Sequence, residues 1–257
     1  MVEGHQCHRV AAAHRKLLLG RAFQARSPNG RFREGAQAIN GKQLERIEVH
    51  GKNLFYFFAP GHAAAAAGPA AAPAPPAPPP PSTVVLHFHF GMSGAFRTMA
   101  LPGLEPTPTT RLELVNKDLG VVAHLSAMTV DHGALDFYES KAALLGPDPL
   151  REDADKELLW AKVTRSRKSI GLVLMDQSMI AGVGNIYRAE ILFKAAVHPE
   201  TPAAAITREQ FDRIWYHCVD LLQQGFVGGS IITVDPEEAE VLGRPWTRRW
   251  VWGPPGT

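Results

Sequence analysis

The chain has 257 residues, of which 45% are apolar and 20% charged, and its net charge is +2. This length is sufficient for one large domain or two medium ones with buried cores. The sequence contains no run of about 18 apolar residues, so no transmembrane helix is expected. Two cysteines, Cys7 and Cys218, are too few for a disulfide framework or a four-cysteine zinc site.

The near-neutral total hides an uneven distribution of charge. Residues 1–58 carry ten basic and four acidic side chains, and residues 161–199 carry six basic and two acidic ones. Two separated basic blocks fit a polyanion that is contacted by two surfaces. Ordinary variation of surface charge explains the same pattern, and charge by itself does not decide between the two.

The first half of the chain is predicted to be an N-terminal β-sandwich with a leading helix, over residues 1–142. The apolar pattern predicts a helix over 5–19, and Gly20 is well placed to end it. Residues 59–82 are an Ala/Pro-rich insertion, which we expect to be a disordered loop and not a domain boundary. Aromatic and β-branched content predicts strands near 21–27, 43–49, 53–58, 84–90, 111–116 and 119–125.

The second half, residues 148–257, is predicted to be helical. A turn-rich break, Gly146-Pro-Asp-Pro149, precedes it. A short strand is predicted over 231–234. Helices are predicted over 153–164, 170–175, 186–195 and 208–224. The expected fold class is therefore multi-domain α+β.

Two short segments suggest chemistry. If Met1 is removed, Val2 carries a free α-amine with an unperturbed pKa of about 7.7–8.0, and part of it is neutral and nucleophilic at physiological pH. The adjacent carboxylate of Glu3 could move protons during attack on a sugar or carbonyl carbon. Since every protein has an N-terminus, this pattern decides nothing without a second signal.

The second segment is 177–190, in which Gly182 and Gly184 precede a helix that begins near Asn185. Backbone N–H groups at glycines and at a helix start form a site for an anion such as a DNA phosphate. A tight helix–helix turn without a ligand is the alternative. The basic cluster at 165–168 favours phosphate.

Four motifs in order carry a family resemblance: Met1-Val-Glu-Gly-His5, Gly51-Lys-Asn-Leu54, His89-Phe-Gly-Met-Ser-Gly94 and the stretch 177–193. The chain resembles the formamidopyrimidine-DNA glycosylase/endonuclease VIII family, and residues 145–198 look most like the endonuclease VIII branch. The likeness covers nearly everything except 59–82 and the last dozen residues.

The resemblance implies a bifunctional DNA glycosylase and apurinic/apyrimidinic (AP) lyase of base-excision repair, with a helix-two-turn-helix in its C-terminal domain. Its partner would be damaged DNA, duplex or single-stranded, with the target nucleotide flipped out of the stack. The protein would be a monomer without a cofactor and without a membrane partner. It would lie in the nucleus of a eukaryote and otherwise in the cytoplasm.

Residue by residue, the resemblance makes Val2 the amine that forms a Schiff base with the sugar C1′, and Glu3 the acid/base. Lys52 would contact the phosphate beside the lesion, and Met92 would fill the gap left by the extruded base. A solvated charge at a strand end is the alternative for Lys52, and core packing is the alternative for Met92. The predicted DNA-contacting residues are Met92, Arg165, Arg167, Lys168, Gly182, Gly184, Asn185 and Tyr187.

The sequence departs from the family pattern at both ends. Val2 stands where proline is commonest, which puts the efficiency of strand cleavage in question. The chain ends at Thr257, about where a β-hairpin finger begins in the family, so either the finger is lost or the sequence is truncated. A zinc finger and a bound metal are expected to be absent from this chain. Arg248 and Arg249 could replace part of the finger's phosphate contacts. The shortness of segment 226–236 favours oxidised pyrimidines over 8-oxoguanine.

Two other functions remain open. A catalytically impaired protein that binds damaged DNA would explain the missing finger, and a structural nucleic-acid module would explain the helix-two-turn-helix. His87 and His89 could suggest a metal pair on one strand face, but packing is favoured because no carboxylate has matching spacing. Trp246, Trp250 and Trp252 are expected to cover the core of the helical domain.

Overall fold

The computed structural model describes residues 2–61, 80, 82–234, 236–241 and 243. Contacts divide the chain into two compact units. The β unit comprises 11–48 and 53–141, and the helical unit comprises the N-terminal segment to Val10, Val49–Lys52 and the chain from Ala142 onward. The predicted domains are contiguous in sequence, whereas the helical unit also includes the N-terminal segment and the turn at 49–52.

Eight strands form two four-stranded sheets, with strand orders β1-β6-β7-β5 and β2-β3-β4-β8. The pairs β3–β4, β4–β8, β1–β6, β5–β7 and β6–β7 are antiparallel. The strands are β1 (Gln24–Arg26), β2 (Gln43–His50), β3 (Asn53–Ala59), β4 (Val84–His89), β5 (Ala95–Ala100), β6 (Leu112–Asn116), β7 (Val121–Ser126) and β8 (Thr129–Gly133).

Aromatic side chains join the two sheets into a sandwich. Phe96 of β5 lies 5.7 Å from the Tyr56 ring of β3 and 5.5 Å from the Phe88 ring of β4. His14 also packs on Phe96 and hydrogen-bonds the Tyr56 hydroxyl at 2.8 Å. Such pairs stabilise a core beyond the burial of their area. The predicted β-sandwich is confirmed.

Three helices accompany this sandwich in the chain: α1 (Gly4–Leu18), α2 (Arg33–Ile39) and α3 (Leu135–Ala142). α1 is the predicted leading helix, and Gly20 follows it with a φ of +75°. Tyr138 of α3 packs on Phe55 and Phe57, so β3 is buried on both faces.

The helical unit contains α4 (Lys156–Val163), α5 (Ile170–Met175), α6 (Asn185–Lys194), α7 (Arg208–Gly228) and α8 (Pro236–Val241), with a short 3-10 helix at Ala203–Ala205. Its core includes Val173, Ile191 and Leu221, all with 1% exposure or less. A capping box formed by Thr207 and Gln210 begins α7. The predicted helical C-terminal region is confirmed.

The structure adds five α-helices and strands that sequence patterns missed: β5, β8, α2, α3 and α8. β5 and β8 are outer strands of their sheets, and both are partly exposed, so their apolar patterns are weak. The predicted strand at 231–234 is wrong. Ile232 and Val234 are buried there, but the segment has no strand pairing.

In the described residues, no helix is both long enough and apolar enough to cross a membrane. Most of the 59–82 insertion lies outside the described residues. So do Arg248, Arg249, the three tail tryptophans and the region on which the expected absence of a finger depends.

Candidate active site

A buried ion pair occupies the start of α1. Glu3 immediately precedes Gly4, the first residue of α1, and is fully buried. Lys52 is 8% exposed, and its Nζ lies 3.4 Å from Glu3 Oε2. Burial raises the pKa of Glu3, and the positive charge of Lys52 opposes that rise. A carboxyl group with a raised pKa is suited to exchange protons near neutral pH.

Val2 directly precedes Glu3 of this pair in the chain. Val2 is half-buried. The next residue, Glu3, donates its backbone N–H to Gln6 Oε1 at 3.0 Å, which satisfies one of the free donors at the helix N-terminus. The structure therefore places the predicted nucleophile next in chain to the predicted acid/base, with Lys52 against the same carboxylate.

The glycine-rich turn between α5 and α6 packs directly on this site. Gly4 N–H donates to the Gly182 carbonyl at 2.9 Å, and a Cβ on Gly4 would lie 2.8 Å from Gly182 Cα. A Cβ on Gly184 would overlap the Glu3 carboxylate. Glycine is needed at these positions because two backbone segments and a carboxylate approach each other closely.

One part of the predicted phosphate site is wrong. The N–H of Gly182 donates to Gln177 Oε1 at 3.0 Å, so it is not free for a phosphate. Gly182 and Gly184 are both buried, whereas Asn185 is exposed at the first position of α6. Asn185 and the start of α6 are the parts of the turn open to an anion.

The basic cluster upstream is only partly available. Arg165 and Arg167 are exposed. Lys168 is also exposed, but its Nζ lies 2.6 Å from Asp176 Oδ2. The hydrogen bond from Lys168 is the main cause that lowers the pKa of Asp176 to about 2. We therefore expect the two arginines to be the stronger phosphate contacts.

Tyr187 is predicted from the sequence to contact DNA, but its side chain is buried and does not reach the surface. Its side chain is fully buried, and its hydroxyl lies 3.0 Å from Nδ1 of buried His5. Burial also lowers the pKa of His5 to about 4, so the imidazole is neutral at physiological pH. The Tyr187–His5 bond joins α6 to the start of α1 within the helical unit.

Replacing Tyr187 with Phe tests this structural role. We expect the free energy of unfolding to fall by about 1 kcal/mol, because His5 loses a buried partner, while affinity for DNA stays unchanged. Denaturant unfolding and DNA titration measure the two quantities. A loss of affinity for DNA without a loss of stability would instead support a direct contact between Tyr187 and DNA.

Met92 lies in the β unit, in the turn that follows β4, and is 66% exposed. Core packing is therefore ruled out for this side chain. It lines a cavity of about 370 Å³ together with Arg31, Arg111 and Met128, and Met128 is 63% exposed. Sequence reasoning missed Met128, whose only signal is an apolar residue in a turn between two strands.

His87 packs in the β unit as the sequence favoured. Its ring stacks on Phe55 at 4.7 Å, and its Nε2 lies 3.0 Å from Asn53 Oδ1. Burial lowers its pKa to about 4. Over the described ranges, no group of three or more His, Cys, Asp or Glu side chains could hold a metal ion.

Asp148 is a site residue that sequence reasoning also missed, because its Gly-Pro-Asp-Pro context is typical of a turn. It is 2% exposed, accepts the Gly51 N–H at 2.6 Å and contacts His8 Nε2 at 2.7 Å. Gly51 immediately precedes Lys52, so the Asp148 carboxylate binds the turn that carries Lys52.

Comparison with known proteins agrees with this geometry. Residues 145–235 match the formamidopyrimidine-DNA glycosylase H2TH domain. Endonuclease 8 1 of Mycobacterium tuberculosis is 36% identical over 243 residues, which cover 92% of this chain and 81% of the relative. The chain belongs to the formamidopyrimidine-DNA glycosylase/endonuclease VIII family.

Other members of this family agree in sequence and in fold. A formamidopyrimidine-DNA glycosylase of Legionella pneumophila is 32% identical over 56% of this chain and 54% of its own length. The Lactococcus lactis Fpg in complex with abasic-site DNA has a TM-score of 0.69 at 20% identity, covering 89% of this chain and 80% of that one. MutM (Fpg) of Thermus thermophilus has a TM-score of 0.68 at 25% identity, and the match covers 89% of this chain and 77% of that one.

Proposed function

We propose that this protein is a bifunctional DNA glycosylase and AP lyase of base-excision repair that uses the α-amine of Val2 as nucleophile. The observation that carries the proposal is the buried Glu3–Lys52 pair, 3.4 Å apart, next in chain to Val2. A buried carboxylate and amine are costly to desolvate and are retained where chemistry needs them.

The reaction begins with a damaged nucleotide flipped out of the duplex. The neutral amine of Val2 attacks the sugar C1′, the bond from C1′ to the base breaks, and the base leaves with a proton. Glu3 transfers a proton to the ring oxygen as the sugar opens, which leaves a Schiff base between Val2 and C1′. The glycosylase step is then complete.

The lyase step follows on the same intermediate. Loss of a proton from C2′ moves an electron pair toward C3′, and the bond from C3′ to its phosphate oxygen breaks. The carboxylate of Glu3 is the proton acceptor available beside Val2, and Lys52 stabilises that carboxylate. Lys52 would also contact the phosphate beside the lesion. Water then hydrolyses the Schiff base and releases the amine.

Contacts to the DNA backbone would come from Asn185, Arg165 and Arg167, which are exposed in the helical unit. Exposed Met92 in the β unit would enter the gap left by the flipped base and offset the cost of unstacking. We propose that the protein acts on DNA as a monomer.

Oxidised pyrimidines are the proposed substrates. α7 ends at Gly228 and α8 begins at Pro236, so only a short segment is available to cover a flipped base. A short segment can enclose a flipped pyrimidine more completely than a flipped oxidised purine, because the pyrimidine is smaller. This is the same feature of the sequence that favoured pyrimidines.

A comparison of duplexes tests this function. Matched duplexes carrying 5-hydroxycytosine, 8-oxoguanine or an abasic site are incubated with the Met1-processed protein, and base release and strand cleavage are followed separately. We expect release of 5-hydroxycytosine to be fastest, with cleavage at the abasic site. DNA binding without release or cleavage on any duplex would instead support a damage-binding protein without catalysis.

The salt dependence of DNA binding tests the phosphate contacts. Arg165→Ala and Arg167→Ala should each weaken binding to all duplexes alike and reduce the slope of log affinity against log salt by about 0.9. Arg208→Ala is the matched control, because its guanidinium already pairs with Glu157 and Asp212. An unchanged slope in both test variants would remove these arginines from the interface.

A further inference from the structure

We infer that Asp148, held in place by His8, is a positioning residue that sets Lys52 against Glu3. The inference rests on the proposed function, since it concerns how that site is assembled. Neither Asp148 nor His8 has a role in the chemistry predicted from the sequence.

The carboxylate of Asp148 accepts three hydrogen bonds, two from backbone N–H groups and one from a side chain. Its Oδ2 accepts the Gly51 N–H at 2.6 Å and the His8 Nε2–H at 2.7 Å, and its Oδ1 accepts the Leu150 N–H at 3.0 Å. The side chain is 1% exposed. Bonds to a buried carboxylate are stronger than neutral ones, so this arrangement is rigid.

The bond to Gly51 controls where Lys52 lies. Gly51 has a φ of +60°, the left-handed conformation that glycine tolerates best. A Cβ there would overlap the backbone N of Gly182. Arg151 adds a second bond to this segment, from its guanidinium to the Val49 carbonyl at 3.1 Å. Because Val49 and Gly51 are both held by hydrogen bonds, the backbone that leads into Lys52 is fixed, and the lysine side chain reaches Glu3 from a fixed position.

The bond from His8 ties the same carboxylate to α1. His8 lies in α1, the helix that begins at Gly4 beside Glu3. Asp148 therefore contacts both the helix that carries Glu3 and the turn that carries Lys52. This is the arrangement in which a third group orients two reacting groups. The ionisable groups around Glu3, Asp148 and His8 include the N-terminal amine, Lys52, Cys7, His5 and Tyr187.

Displacement of Lys52 should change the pH dependence of the lyase rate in one direction. Lys52 opposes the rise of the Glu3 pKa that burial causes. If Lys52 moves away, the pKa of Glu3 rises further, and the acid limb of the lyase pH profile moves to higher pH. A change that merely loosens the fold lowers the amount of active protein without moving this limb.

The test is single-turnover cleavage of abasic-site DNA at saturating protein, between about pH 4.5 and pH 8. The variants are Asp148→Asn, His8→Gln and Lys52→Met, with Asp118→Asn as the matched control in an exposed turn of the β unit. For Asp148→Asn we expect a rate constant about 10- to 100-fold lower, an acid limb shifted upward as in Lys52→Met, and DNA affinity within about twofold of wild type. His8→Gln should shift the limb in the same direction by less.

Two results would overturn the inference while leaving the proposed function intact. One is a wild-type rate and pH profile in Asp148→Asn. The other is a lower amplitude and melting temperature with an unmoved acid limb, which shows a structural role. A wild-type protein that never cleaves abasic-site DNA overturns the proposed function and this inference together.

Discussion

Glu3→Gln is expected to lower the AP-lyase rate by about 10²- to 10⁴-fold, the range that general acid/base catalysis contributes. Glutamine keeps the size of the side chain but cannot accept the C2′ proton or protonate the ring oxygen. Affinity for abasic-site DNA should stay near the wild-type value, since the proposed backbone contacts of Asn185, Arg165 and Arg167 are unchanged. Single-turnover cleavage and DNA titration separate the two effects.

The same variant is expected to lack part of the pH dependence of wild-type stability. Burial raises the pKa of Glu3 above its ordinary value of 4.5, so the protonated carboxyl is favoured in the folded state. The stability from this group is complete below pH 4.5 and is lost as pH rises through the raised pKa. Glutamine is neutral throughout, so this loss of stability with rising pH is absent from the variant.

Glu139→Gln is the matched control, because Glu139 is exposed on α3 in the β unit. It should change neither the lyase rate nor the pH dependence of the melting temperature. A Glu3→Gln protein that cleaves abasic-site DNA at the wild-type rate would contradict the role of Glu3. An Asp148→Asn protein tests a different step, and the two results can be interpreted independently.

Gly184→Ala is expected to remove lyase activity and to destabilise the fold. The backbone of Gly184, with φ −125° and ψ −167°, is extended and allowed for alanine, so the turn itself is not strained. The added Cβ would overlap the Glu3 carboxylate. Displacement of Glu3 should cost about 10²-fold in rate, and overpacking should cost about 1–3 kcal/mol of stability.

Gly61→Ala is the control for this substitution, because among the residues that the structure describes its Cβ would meet only the Gln43 side chain, at 3.4 Å. Lyase kinetics and denaturant unfolding of both variants give the comparison. If Gly184→Ala cleaves DNA like wild type, the close packing of the glycine turn on Glu3 has no catalytic meaning. In that case Gly184 would serve helix packing only.

Local patterns predicted the long elements and the motifs, but not which groups face one another. The helix at the N-terminus, the paired strands β3 and β4, and helices α5 to α7 follow from apolar periodicity and aromatic content. Outer strands such as β5 lack that signal because one of their faces is exposed. The family motifs predicted Glu3 and Lys52 separately, and the structure shows them paired.

The errors within the site come from tertiary packing. Tyr187 and Gly182 belong to a motif that resembles a phosphate site, but a motif does not specify which side of the turn is buried. Asp148 lies 97 residues beyond Gly51 in sequence, and only the fold brings them together. A Gly-Pro-Asp-Pro sequence offers no signal beyond a turn.

If the amine of Val2 forms the covalent intermediate, the borohydride-trapped adduct must lie on that amine. The Met1-processed protein is trapped on abasic-site DNA, digested with trypsin and analysed by mass spectrometry. We expect the modified peptide to be the one from Val2 to Arg9, with the sugar remnant on the α-amine. An adduct on the Lys52 side chain, the amine that lies 3.4 Å from Glu3, would contradict it.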